Sequence, residues 1–397
     1  MSKINILVIG NDFNGVGYYR VNSPYLTLSD PNINIKYLPL SDFTFILNEE
    51  SLKDIQIIIY QKTLPLRTKE ELDNFIKIKT KYDIKIVIDI DDYWDLDKNH
   101  PHHSTNNTNN RLELIINNIK FADYISTTTP FLADKIKEYN SSVVIFENAV
   151  NLKETQWIPN KIKSEKTRFL WGGGITHLYD LQLVEDSLKL SNNDLIDKAQ
   201  LYMCGFDLRV QDKNGNMIIG DPRISYWTKF EKIFTNNYQS IKNKEYLKWV
   251  KEYLDNGEGV FGYNEEFKDE FYQRRWTKPI LTYGTMYNEA DVVLAPLKNT
   301  YFNSMKSQLK VIEAGAYKCP IIASNHSPYT IDVIDGKNGF LIDENDRYGW
   351  YNKMKFFVEN PNAVIDMGEA LYEVVMEKYT LEKINAKRID FIKIIAY

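Results

Sequence analysis

The chain alternates between short, almost wholly apolar runs and longer segments in which apolar residues recur every three or four positions. INILVIG (4–10), IQIIIY (55–60), IKIVIDI (84–90), YIST (124–127) and VVIF (143–146) are of the first kind. Such runs predict strands covered on both faces, as in a parallel sheet. The segments between them predict helices near 17–29, 69–80, 110–121 and 130–138. Alternation of this kind predicts an α/β, doubly wound domain.

The rhythm breaks in NLKETQWIPNKIKSEK, which predicts a linker over 151–166, and then resumes. RFLWG (168–172), AQLYMCG (199–205), GVFGY (259–263), DVVLAPL (291–297) and CPIIAS (319–324) read as strands, with a helix near 177–189. A first domain over 1–150 and a second over 167–378 are therefore expected, and 397 residues suffice for two cores. The second carries an insertion near 207–279, in which DKNGNMIIGDPR reads as a turn or hairpin. Its aromatic, basic part, Trp227 to Trp276 with Arg274 and Arg275, reads as an amphipathic helical insertion or as a platform for an acceptor. A last helix, within 379–397, is expected to pack back on the first domain.

Charge and cysteine content narrow the classes. A net charge of −5 and a pI near 5.7 argue against broad nucleic-acid binding by phosphate neutralisation. Cys204 and Cys319 lie far apart, each in or beside an apolar run, and read as buried free thiols. The apolar run after Met1 is too short to span a membrane and lacks a small-residue cleavage site, so a cytoplasmic protein without a transmembrane segment is expected.

Four stretches carry candidate chemistry. In GNDFNGVGYYR (10–20) a strand ends in glycines and opens a helix, which suits an anion at Gly15 and Gly17, with Arg20 able to pair with phosphate. DIDDYWDLDKNHPHHS (89–104) places Asp89, Asp91 and Asp92 at a strand end and holds three of the chain's five histidines. The irregular spacing favours an acceptor-side or catalytic loop, with Asp92 and His102 as candidates, over a metal site. RFLWGGGITHLYDLQLV (168–184) again ends a strand in glycines, Gly173 and Gly174, with Thr176 as a candidate N-cap, His177 in the first turn and Asp180 placed to orient it. SMKSQLKVIEAGAYKCPIIAS (304–324) sets Glu313 within an apolar helical face. The start of that helix, with Lys306 and Lys310, suits a diphosphate, and Glu313 could accept two adjacent hydroxyls. The plain alternative is an ion pair between Glu313 and Lys310.

With these stretches in place, the chain resembles the two-domain GT-B glycosyltransferases, and among them the retaining, family-4-like group (glycosyl transferases group 1), as a divergent branch. The likeness is strongest in DVVLAPL, KSQLKVIEAGAYKCPIIASNHSPY and VIDGKNGFLID, and extends to GNDFNGVGYYR and ENAVN (147–151). It implies two Rossmann-like domains facing a cleft and transfer of a sugar, with retention, from a UDP- or GDP-linked donor to a hydroxyl acceptor. Glu313 would hold the donor ribose. Ser307, Gln308 and Leu309 amides, with Lys306 or Lys310, would meet the diphosphate, Gly15 and Gly17 would cover it, and the base would rest near Cys204–Phe206, with Gly205 among the donor contacts, and the 259–263 strand end. No tightly bound cofactor and no metal are implied, and the acceptor is left open among a saccharide, a glycolipid, a protein and a modified nucleobase. Three positions depart from the family pattern. Met305 stands where its first glutamate falls, WGGGITHLYD replaces its usual basic residues, and DIDD follows the strand that usually precedes a histidine. A non-catalytic sugar-nucleotide sensor and an epimerase of the same fold are the alternatives.

Overall fold

The computed structural model describes residues 3–10, 15–64, 66, 68–98, 100, 102–104, 110–220, 225–235, 248, 251 and 269–396. The chain divides into two compact units: Met1–Asn151 with Ser304–Leu309 and Lys378–Tyr397, and Leu152–Asn303 with Lys310–Glu377.

Unit 1 is built on six strands: β1 (Ile4–Gly10), β2 (Ile33–Pro39), β3 (Ile57–Gln61), β4 (Lys85–Ile90), β5 (Tyr124–Thr127) and β6 (Val143–Ile145). They pair in parallel in the order β2-β1-β3-β4-β5-β6. Their continuous apolarity matches burial on both faces, as at Ile6, Ile58 and Ile88. β2 escapes an apolar-run reading because INIKYLP is an edge strand with alternating exposure. The helix Lys69–Tyr82 opens with a reciprocal cap, Thr68 accepting from the Glu71 amide and Glu71 from the Thr68 amide. The helix expected near 17–29 runs as Gly15–Gly17, a π turn over Tyr18–Asn22, and Ser23–Thr27. The final helix, Leu381–Ile395, belongs to this unit: Ile392 and Ile395 pack with Val8, Val21 and Ile59, and Ile384 with Phe146.

Unit 2 contains β7 (Thr167–Gly172), β8 (Ala199–Phe206), the antiparallel hairpin β9 (Arg209–Gln211) and β10 (Met217–Ile219), then β11 (Tyr272–Trp276), β12 (Val292–Ala295), β13 (Ile321–Ser324) and β14 (Gly339–Ile342). Its parallel sheet has the order β11-β8-β7-β12-β13-β14. This is the doubly wound order in which direction reverses between β7 and β12. The strand expected at 259–263 lies outside the described residues.

The outer strand beside β8 is instead YQRRW, in which two arginines mask the apolar signal. Both are buried: Arg274 pairs with Glu231 at 2.6 Å and Arg275 with Glu289 at 2.7 Å. The two guanidiniums therefore do not form an exposed acceptor platform. The stretch expected as a linker carries a 3-10 turn, Thr155–Trp157, grouped with unit 2. Trp157 is buried there against Tyr317, its ring centroid 6.2 Å away. The single helix expected near 177–189 is two, Leu178–Leu181 and Glu185–Asp194, and Thr176 is not its cap.

Candidate functional site

Where strand order reverses in a doubly wound sheet, the loops leaving the carboxyl ends of the two flanking strands part and leave room for a ligand. In unit 2 these loops follow β7 and β12, and one buried carboxylate ties them together. Asp180 accepts from the Lys298 amide and from Asn303 Nδ2, both at 2.9 Å through Oδ1, while Oδ2 meets His177 Nδ1 at 2.8 Å. An ionised carboxylate only accepts, so His177 carries its proton on Nδ1 and, when neutral, presents Nε2 as an acceptor. The expectation that Asp180 orients His177 is met in this geometry.

The glycines at the neighbouring strand ends are packed backbone to backbone. Gly173 donates its amide to the Cys204 carbonyl at 3.3 Å. Gly205 has φ +111, and a Cβ there would stand 2.4 Å from the Gly173 oxygen. Any side chain meets both a conformation that L residues avoid and an unyielding carbonyl. Gly205→Ala is expected to destabilise unit 2 by about 2–3 kcal/mol, read as a lower urea midpoint. An unchanged midpoint would mean that the two strand ends can separate freely. Gly174, by contrast, has open space around its Cβ position.

Beside these loops lies the helix Leu309–Ala316. Glu313, 1% exposed, accepts from the Tyr287 hydroxyl at 2.7 Å and from Lys310 Nζ at 2.8 Å. Lys310 also reaches the Tyr283 hydroxyl at 2.5 Å, and a Cβ at Gly172 would stand 3.7 Å from that same hydroxyl. Burial acts to lower the Lys310 pKa, but Glu313 and Tyr283 outweigh it and raise the value above that of an ordinary lysine. The Tyr283 phenol is pushed up to about 12 by burial and by the Glu313 charge. Both groups thus keep their protons at neutral pH and act as donors, not as bases. The ion pair expected as the plain alternative for Glu313 is present, in a setting that also fixes the carboxylate's orientation.

The segment before this helix groups with unit 1. Met305 is 8% exposed and packs in the cluster of Leu7, Ile9, Ile90 and Trp94, a physical reason for an apolar residue at that position. Ser307 Oγ accepts from Asn148 Nδ2 at 2.8 Å, Gln308 Nε2 donates to the Tyr379 hydroxyl at 3.0 Å, and Lys306 is half-buried.

At the carboxyl ends of the unit 1 strands, one expectation needs correction. Arg20, 1% exposed in the π turn, gives Nε and Nη2 to Asp89 at 3.0 and 2.7 Å. Its remaining N–H groups go to Phe146 O at 2.5 Å, Asn148 Oδ1 at 3.2 Å and Thr127 O at 3.3 Å. With five donors in use inside the unit, Arg20 is a structural clamp and not a phosphate ligand. Gly15 (φ +35) opens this helix and Gly17 is buried within it. Asp91 pairs with Lys62 at 3.0 Å, and burial raises its carboxyl pKa against the pull of that lysine. Asp92 is half-buried beside it in sequence and His102 is exposed, its ring 5.6 Å from that of His100. The acidic residues and histidines of this loop do not converge: among the described residues, no group of three or more His, Cys, Asp or Glu side chains is arranged to hold a metal.

Sequence reading missed Tyr283, Tyr287, Asn303 and Lys62. The two tyrosines are four apart in LTYGTMYNEA, a segment whose lack of apolar periodicity hides that both face Glu313's helix.

Residues 264–360, which include Tyr283, Tyr287, Lys310 and Glu313, match the family model described as Glycosyl transferases group 1. Over that segment the chain is similar to the group 1 glycosyltransferases. Solved structures carry the likeness across the whole chain. A glycosyltransferase from Rickettsia africae superposes with a TM-score of 0.58 at 13% identity, covering 100% of this chain and 99% of its own. Sucrose-phosphate synthase from Thermosynechococcus elongatus gives 0.60 at 14% identity, covering 98% of each chain. HepE from Anabaena, solved with UDP, gives 0.61 at 10% identity, covering 98% of this chain and 99% of its own. Both sheets are thus those of the GT-B fold. No curated protein sequence matches the chain. Among the described residues, no helix is long and apolar enough to cross a membrane.

Proposed function

We propose that the protein transfers a glycosyl unit from a nucleotide-diphosphate sugar to a hydroxyl acceptor with retention, unit 2 holding the donor and unit 1 serving the acceptor. The observation that carries this reading is the buried Glu313 carboxylate, fixed by Tyr287 and Lys310 beside Gly172–Gly174 within the segment that matches the family. A carboxylate held this way is preorganised to accept two adjacent hydroxyls, as a ribose presents.

When the bond between the sugar and the diphosphate breaks, negative charge gathers on the departing phosphate oxygens. The Lys310 ammonium, the amides leading into the helix at Leu309 and Lys306 are the groups assigned to that charge. The Ser307 and Gln308 amides, which lead into the same helix, are assigned to the same charge. His177, its ring fixed by Asp180 at the reversal point of the sheet, is assigned to the sugar. Asp92 and His102 are assigned to the acceptor hydroxyl. HepE is solved with UDP-glucose as well, so uridine is the first donor base to test.

A thermal-shift and hydrolysis screen against UDP-, GDP-, ADP-, CMP- and dTDP-linked sugars, with and without a divalent metal, tests the proposal. One nucleotide class is expected to raise the melting temperature and to be slowly hydrolysed. Silence across the panel would end the transferase reading and the sensor reading together. Binding without turnover, when acceptors are also supplied, would leave the sensor.

A further inference from the structure

Lys278 is a cation with no part in the function proposed above. It lies two residues beyond β11, whose last residue, Trp276, pairs with Phe206 of β8, and the Thr277 amide donates to the Phe206 carbonyl at 2.9 Å. Lys278 therefore emerges at the sheet edge that also carries Gly205 and Gly172–Gly174. Its side chain is half-buried, and Nζ donates to the Thr285 hydroxyl at 2.8 Å. Thr285 belongs to the same 3-10 segment, Tyr283–Glu289, that supplies Tyr283 and Tyr287 to Lys310 and Glu313.

The ammonium has a neutral partner where buried cations ordinarily have a carboxylate. The charge of Glu289 reaches it, but Glu289 Oε2 is already held by Arg275 Nε at 2.8 Å and Nη2 at 2.7 Å. The other groups facing it are the Arg275 guanidinium, which repels it, and the Cys204 thiol, which burial pushes up to about 12 and so keeps neutral. Among the described residues Lys278 makes no ion pair. Burial lowers its pKa, in the opposite sense to Lys310. The loop after β7, GGGITHLYDL, contains no lysine or arginine that would offer positive charge at this edge. A desolvated ammonium without a counter-charge is unfavourable in the free protein, and an arriving anion relieves it.

We propose that Lys278 is a donor-binding residue that contacts the diphosphate of the nucleotide sugar. This rests on the function proposed above. The charge-assisted bond forms only when the anion is present, so affinity is gained in part from relief of an unfavourable free state. The same argument makes Lys278 a liability for the empty protein, a property that a merely structural lysine would not have.

The test compares wild type, Lys278→Met and Lys278→Arg by calorimetric titration with nucleoside diphosphates and with the matching nucleosides, alongside melting temperatures without ligand. Lys278→Met is expected to weaken the diphosphate by about tenfold or more and to leave the nucleoside within about twofold, as loss of one charge-assisted bond dictates. Its melting temperature without ligand should equal or exceed that of wild type, and Lys278→Arg should keep most of the diphosphate affinity. Unchanged diphosphate affinity in Lys278→Met, or equal losses for nucleoside and diphosphate, would overturn the assignment while leaving the donor reading standing. A Lys278→Met variant that melts lower than wild type would also overturn it, since the lysine would then be stabilising the free fold. Failure of wild type to bind any nucleotide would instead remove the donor reading, and this inference with it.

Discussion

Asp89→Ala is expected to destabilise unit 1 by about 3–5 kcal/mol, because it strands a buried guanidinium. Arg20 and Asp89 side chains are 1% and 5% exposed, and they meet through two parallel bonds. Removing the carboxylate also deprives the Ser126 hydroxyl, which donates to it at 2.7 Å. The carbonyls of Phe146 and Thr127 would still hold the guanidinium in place, and arginine cannot shed its proton to escape. The charge stays buried and uncompensated. An Arg20→Met, Asp89→Leu double variant should recover most of the loss, since an apolar pair removes both the attraction and the desolvation it must repay. Urea unfolding of the two variants and wild type measures this. A single-variant loss below about 1 kcal/mol would mean that water or a neighbouring carboxylate, such as Asp91, reaches Arg20 after all.

Glu313→Ala is expected to lower donor-dependent turnover by about 100-fold or more, as the loss of two hydrogen bonds to a charged acceptor implies. Glu313→Gln separates the two roles of this side chain. It keeps the size and an acceptor for Tyr287 but withdraws the charge facing Lys310. The raised Lys310 pKa contributes stability that is fully present below the unfolded lysine value and is lost as pH rises through the folded one. Neutral solution lies on the favourable side, so the glutamine variant should be less stable at pH 7. With the carboxylate gone, only Tyr283 still opposes burial, so the Lys310 pKa falls from its raised value and the variant's deficit against wild type should narrow toward alkaline pH. A glutamine variant that is less stable but binds donor as wild type does would reduce Glu313 to a structural ion pair.

The parts of the fold that were legible are those in which burial is complete and local. INILVIG and IKIVIDI are covered on both faces, so their apolarity is unbroken and their strands follow from it. The illegible strands are β2, half wetted at an edge, and β11, where Arg274 and Arg275 are buried only because Glu231 and Glu289 come to meet them. The site follows the same division. Glu313 is conspicuous as a lone carboxylate on an apolar helix face, and His177 as a histidine after three glycines. Tyr283, Tyr287, Thr285 and Asn303 carry no local signal, since what distinguishes them is the partner each finds across the sheet edge.

By itself, the sequence determined the two α/β units, the strands that end in glycine loops and the carboxylate most in need of explanation. It did so because hydrophobic periodicity and glycine placement are properties of a few neighbouring residues. The tertiary structure alone decided what each charge does. Arg20 carries the composition of a phosphate ligand but is consumed by Asp89, sixty-nine residues away in the chain. Lys278 looks like any surface lysine but is left with a hydroxyl for a partner. Whether a charge is satisfied depends on groups that only folding brings within 3 Å of it, and no spacing along the chain encodes that distance.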